Sequence, residues 1–274
     1  MPKKQDKSPN PADVLFKNLF EDSTPEQCFE LIAEGLAASH SNADRLVTDA
    51  RYLLEGGRLS SARFILATAR EEISKSYILV DATRLDLEKH TSVLRRLCRA
   101  FYDHISKHAY LEVLNFPNIH SMASAKELWD IEIKRWWPAA SSEDGEPDMP
   151  HDTRFDREFP LYIDYGDYDR RWLVPNNSDQ NAYFMEILGE TRVSKVENLI
   201  KPWREADLAG ISTPKVLSIL NAIFKNHYIQ ADATEDKVRR LYRNVAERVA
   251  AETGIASKLF MDSPFVKWPL YDYA

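Results

Sequence analysis

Glycine is scarce in this sequence, eight residues in 274, and nowhere do the glycines gather into a loop that could cradle phosphates. Cysteine is scarcer: Cys28 and Cys98 stand far apart in the chain and outside any metal-ligand spacing. That argues against a disulfide framework and for a reducing compartment. No stretch approaches the ~18 consecutive apolar residues of a membrane span. The lysines of the N-terminal MPKKQDKSPNPAD precede no apolar run, so the segment does not read as a signal peptide. A cytoplasmic chain with no membrane partner is expected. Positive charge is not in excess either. With a formal net charge of -7 the whole-molecule field does not favour nucleic acid, and DNA is not an expected partner, although a local basic surface stays open. His104 and His108 are four apart, but no Glu follows His104, so the zinc pattern HExxH is not formed. No metal and no other cofactor is expected. A serine nucleophile elbow and internal repeats are likewise absent.

What is present reads as helices. The chain is long enough to bury a large core, as one domain or as a helical domain with an appendage. Residues 1–23 are read as a mobile tail followed by the short apolar segment VLFKNLF. Thr24-Pro25-Glu26-Gln27 then supplies an N-cap, a proline at the first helical position and a capping-box glutamine. Apolar residues recur at helical spacing from Phe29 to Leu54, with Ser39-His40-Ser41 as the place for a kink, until Gly56-Gly57 ends the helix. A second helix begins near Leu59 and runs to about Val80; its Ala62, Ala67 and Ala69 admit a close neighbour, which predicts a central position. The polar DATRLDLEKHT after it either extends it or makes the turn. A third helix is read from about Ser92 to Leu114, and a fourth, KELWDIEIKRWW, up to Pro138. An exposed loop over 139–160 and an aromatic hairpin in FPLYIDYGDYDRRWLVP follow, then helices near 179–207, 213–226 and 234–253. The C-terminal KLFMDSPFVKWPLYDYA is too apolar to stay in solvent and is expected to pack on the body or on another chain. Trp136, Trp137 and Trp172 read as packing residues.

Chemistry-bearing side chains concentrate on the second and third helices. Glu71 and Lys75, four apart, share a helix face, and Glu72 lies about 100° round from Glu71. An ordinary surface ion pair there contributes only ~0.3–0.5 kcal/mol. The apolar surround of this helix instead turns part of the Glu-Glu-Lys group inward, where charges persist only if paired. His104, Lys107 and His108 follow at i, i+3 and i+4, with Arg99 five residues before the first. Such a set suits phosphate binding and proton transfer near neutral pH. On one unbroken helix Arg99 and His104 stand about 140° apart, so only the arginine's length lets both serve one site.

These residues resemble the AbiV family of bacterial abortive-infection proteins, within the HEPN superfamily of small helical domains. The resemblance rests on Ala43, Leu46, Asp49-Ala50, Leu53-Leu54, Gly57-Arg58, Ser61-Ala62 and Leu66-Ala67. It continues through Glu71-Glu72 with Lys75 and Asp103-His104 with Lys107, then the Tyr-Asp segment from Leu161 to Pro175, covering roughly residues 40–200. It implies a helical-bundle core, and with the elements read above the expected fold is all-α: a HEPN-like antiparallel helical bundle (24–138), a loop and small β-hairpin insertion (139–178), and additional C-terminal helices packed on the bundle (179–274). It also implies a homodimer and a role in stopping phage multiplication. Many HEPN relatives are metal-independent ribonucleases whose site forms across the dimer from Arg-x4–6-His. Arg99 to His104 meets that spacing, with Ala100 where a polar residue is usual. RNA is then the substrate, His104 the general acid or base, Arg99 and Lys107 the charge stabilisers, and Glu71 a group that orients His104 or Lys75, beside Glu72. The alternative is a non-catalytic protein that binds a phage or host translation component through the aromatic hairpin and the C-terminal tail.

Overall fold

In a computed structural model the chain is described over residues 9–117, 119–134, 190–230 and 232–274, with the backbone of 164–166 and 171–173. The loop expected over 139–160, Trp136 and Trp137, the side chain of Trp172 and the start of the helix expected from 179 lie outside the described residues. Helices carry the fold. α1 (Pro11–Phe16) runs into one π-helical turn over Lys17–Glu21, and α2 (Pro25–Glu55) is capped as expected: Thr24 and Gln27 close a reciprocal capping box. α2 is continuous, and Ser39 and His40, where a kink had a place, are buried inside it. Gly57 takes a φ of +70°, and the next N–H, of Arg58, donates back to the Leu53 carbonyl at 2.8 Å, which turns the chain.

α3 (Leu59–Thr83) is the central helix, buried along most of its length through Ala62, Leu66, Ala69, Ile73 and Tyr77. It packs along α2, with Gly35 of α2 so close to Leu79 that an added Cβ would meet Cδ1 at 3.0 Å. The polar DATR stretch ends α3 at Thr83 and begins the turn. Two helices, not one, then follow: α4 (Thr91–Tyr102) and α5 (His104–Asn115). The break is Asp103, whose extended backbone (φ -84°, ψ 125°) stops α4 and whose side chain accepts from the Ser106 N–H at 2.7 Å. A carboxylate at an N-cap satisfies a first-turn donor, and here that local bond overrides helical continuity. α6 (Met122–Ile133) opens on a Ser121/Ser124 capping box and packs on α5.

β1 (Asp164–Gly166) and β2 (Arg171–Leu173) pair antiparallel with Tyr165 opposite Trp172. The C-terminal part contributes α7 (Glu190–Leu208), α8 (Pro214–Phe224), α9 (Glu235–Thr253) and the short α10 (Ser257–Met261). α7 and α8 lie on α2 and α3. Trp203 of α7 is fully buried, edge-on to Tyr77 of α3 with ring centres 5.0 Å apart. The C-terminal tail packs back on the body: Phe260, Phe265, Leu270 and Tyr271 are all fully buried. Among the described residues no helix is long and apolar enough to cross a membrane.

Candidate functional site

The break at Asp103 places His104 at the first helical position of α5, beside α3. There His104 Nδ1 lies 2.8 Å from Glu71 Oε2, and Lys107 Nζ, one turn further along α5, donates to the same oxygen at 2.8 Å. Glu71 and Lys107 side chains are 8% and 5% exposed, whereas His104 is 46% exposed, so the imidazole is the part of the trio that meets solvent. Because the carboxylate can only accept, Nδ1 carries the proton and Nε2 is left as the basic nitrogen. The trio is therefore a buried ion pair with a histidine standing on it.

The remaining candidates are distributed around this centre. Glu72 turns to Lys75, which donates to its carboxylate at 2.6 Å, and the Lys75 ammonium also lies 5.1 Å over the Phe101 ring. Glu71 and Glu72 thus serve different partners, as their angular separation on α3 requires. Arg99 sits in the last turn of α4, exposed, its carbonyl accepting the Asp103 N–H at 3.0 Å. With the helix broken there, the ideal-helix angle between Arg99 and His104 no longer applies; both border the α4–α5 junction. Lys107 is placed beneath the imidazole rather than at the mouth of the site. His108 is drawn away from His104: it faces α6, Nε2 3.0 Å from the Glu132 carboxylate. α5 is wedged between α3 and α6, so positions i+3 and i+4 from His104 divide between the two neighbours.

Two polar clusters escaped the sequence reading. Asp81, Arg84 and Tyr110 form a fully buried group: Asp81 pairs with Arg84 and accepts from Tyr110 Oη at 2.9 Å and from the Leu270 N–H at 2.7 Å. Arg84 also donates to the Phe265 carbonyl at 2.8 Å, so this group ties the C-terminal tail to α3 and α5. Burial drives the Tyr110 phenol far above its ordinary range, with the Asp81 carboxylate acting in the same direction, so it stays protonated as a donor. The second cluster joins α2 to α7, with His40 Nδ1 2.6 Å from Asp207 Oδ2. Burial pushes the Asp207 carboxyl up, but the bonds from His40 and Ser212 outweigh it and hold it below the usual carboxylate value. A cavity of about 460 Å³ opens beside them, lined among others by Ala37, Asp44 and Arg204, the last two already paired with each other. The signal for the first cluster was the polar DATR run within an otherwise apolar helix; nothing local in the sequence joins His40 to Asp207.

Both cysteines are buried and free, and burial raises each thiol to about 12, which leaves them inert. Among the described residues no three His, Cys, Asp or Glu side chains converge as a metal site would need.

A family model described as AbiV, a HEPN family, matches residues 31–193, more than half of the chain and the whole of the Glu71–His104–Lys107 site. No curated protein and no solved structure matches it.

Proposed function

Because the chain belongs to the AbiV family of HEPN proteins, we propose that it is an antiphage effector of the abortive-infection kind that cuts RNA, with His104 as its proton-transfer group. The observation that carries the reading is the half-exposed imidazole fixed through Nδ1 on a buried Glu71–Lys107 pair, with Nε2 free to exchange a proton. A histidine so held keeps one tautomer and one orientation, which is what a general acid or base requires.

The reaction that fits is attack of an RNA 2′-oxygen on the adjacent phosphorus. Nε2 of one His104 takes the 2′-OH proton as the O2′–P bond forms. The P–O5′ bond breaks, and a protonated His104 supplies the proton that the departing 5′-oxygen needs. The products are a 2′,3′-cyclic phosphate and a 5′-hydroxyl. Arg99, exposed at the same junction, is assigned the charge on the non-bridging oxygens in the transition state. Lys107 is assigned to pair with the buried Glu71 carboxylate, and Glu71 to orient His104. Two histidines in opposite protonation states are supplied by a homodimer that brings two α4–α5 junctions together.

Purified protein incubated with RNA in EDTA, with products resolved by size and end-group chemistry, tests this. Fragments ending in cyclic phosphate, from a species of twice the monomer mass, are expected. Intact RNA at micromolar protein overturns it and leaves the rival, a non-catalytic protein that binds a phage or host translation component. The buried Glu71–Lys107 pair would then serve as a structural polar core.

A further inference from the structure

One exposed aromatic side chain beside the site has no role in the chemistry above. Tyr102, the last residue of α4, is 45% exposed. Its ring is held edge-on to Phe101, with centroids 5.4 Å apart and planes at 67°. Phe101 is itself fixed beneath the Lys75 ammonium. Tyr102 is thus an aromatic surface whose orientation the protein sets while much of the ring stays in water. Only the extended residue Asp103 separates it from His104, so the two Cα atoms lie within about 7 Å. Arg99 precedes it by three positions on α4, on the same helical face, and is itself exposed.

Cation, aromatic plane and imidazole in sequence along one short edge match the needs of a nucleic-acid strand. The backbone requires positive charge, the base a flat partner, the scissile phosphate a proton donor or acceptor. Resting on the ribonuclease reading, we infer that Tyr102 is the stacking platform for a base next to the scissile phosphate, and that the substrate is single-stranded RNA. A base can lie on a tyrosine only when it has left its own stack, so a duplex is excluded at this edge. Stacking tolerates any base, so recognition here depends on strandedness rather than sequence. The acidic whole-molecule charge of -7 fits that division: with weak long-range attraction, a larger share of affinity falls to the base contact.

The test uses a short RNA with one 2-aminopurine, free or annealed to its complement, bound to full-length His104→Ala protein so that it stays uncut. Cleavage by the wild-type chain is measured alongside. The single strand is expected to bind with quenched fluorescence and more tightly than the duplex. Adding Tyr102→Ala should weaken binding about ten-fold, the contribution of one stacked base, and remove the quench, whereas Tyr102→Phe should keep both. Since Tyr102 is exposed, the three proteins should melt together. Equal affinity with and without the ring, or equal affinity for duplex, overturns the inference. If the wild-type chain cuts RNA while Tyr102→Ala binds normally, the platform alone falls. If it fails to cut while the ring still governs binding, the ribonuclease reading falls and the platform stands.

Discussion

Removing the Lys107 ammonium leaves the Glu71 carboxylate buried with one donor fewer, and breaking a buried pair from one side costs far more than replacing both partners. Lys107→Met should therefore lower stability by about 3 kcal/mol, and the double variant Glu71→Gln/Lys107→Met should recover most of it, read from urea unfolding. A loss under ~1 kcal/mol for the single variant would show that the pair is solvated and the histidine not firmly seated. At this scale much of the site was legible. That part of the Glu-Glu-Lys group turns inward followed from charges on a helix otherwise apolar, whereas Lys107, read as a phosphate-charge stabiliser, instead donates to the buried Glu71 carboxylate. The split of Glu72 to Lys75 and of His108 to Glu132 was not legible, because spacing gives the angle between two side chains but not which neighbouring helix each will meet.

Among the elements, α2 was written almost completely in its caps, Thr24 to Gln27 at one end and Gly57 at the other. α4 and α5 were not, because an aspartate within a periodic run reads equally well as a surface helical residue. Its capping role appears only when the backbone around it is extended. Asp103→Ala removes the bond to the Ser106 N–H and should cost about 1 kcal/mol of stability. It should also lower RNA cleavage more than that loss explains, since the first turn of α5 carries His104. Thermal melts and initial rates on one preparation check both. Unchanged activity would mean that the imidazole is positioned by Glu71 alone.

In the whole molecule, the C-terminal tail completes the core. Its apolar composition foretold burial, but its partners, Asp81 in α3 and Arg84 just after it, come from almost two hundred residues earlier, a distance over which local patterning is silent. Truncation after Lys258 removes Phe260, Phe265, Leu270 and Tyr271, each contributing about 2 kcal/mol by burial, a sum comparable with the stability of a whole domain. No folded protein is expected by circular dichroism or gel filtration; a folded, active fragment would contradict this packing. A second link between the two halves, His40–Asp207, carries a pH signature. The folded chain holds Asp207 below the ordinary carboxylate value, so in acid the unfolded chain takes up the proton more readily. The stability from this group should be complete above about pH 4 and vanish as pH falls through the folded value. The gap in unfolding midpoint between wild type and Asp207→Asn should accordingly hold from pH 6 down to about pH 4 and narrow as pH falls further. A gap still constant below about pH 4 would place the carboxyl in ordinary water.

The central claim is that the imidazole on the Glu71–Lys107 pair performs chemistry. Initial rates of RNA cleavage by wild-type and His104→Ala proteins, matched for melting temperature and oligomeric state, test it most directly. Because His104 is 46% exposed, the fold should survive the substitution, and the rate should drop by at least the ~100-fold that a general acid or base contributes. Equal rates from the two proteins would contradict the account.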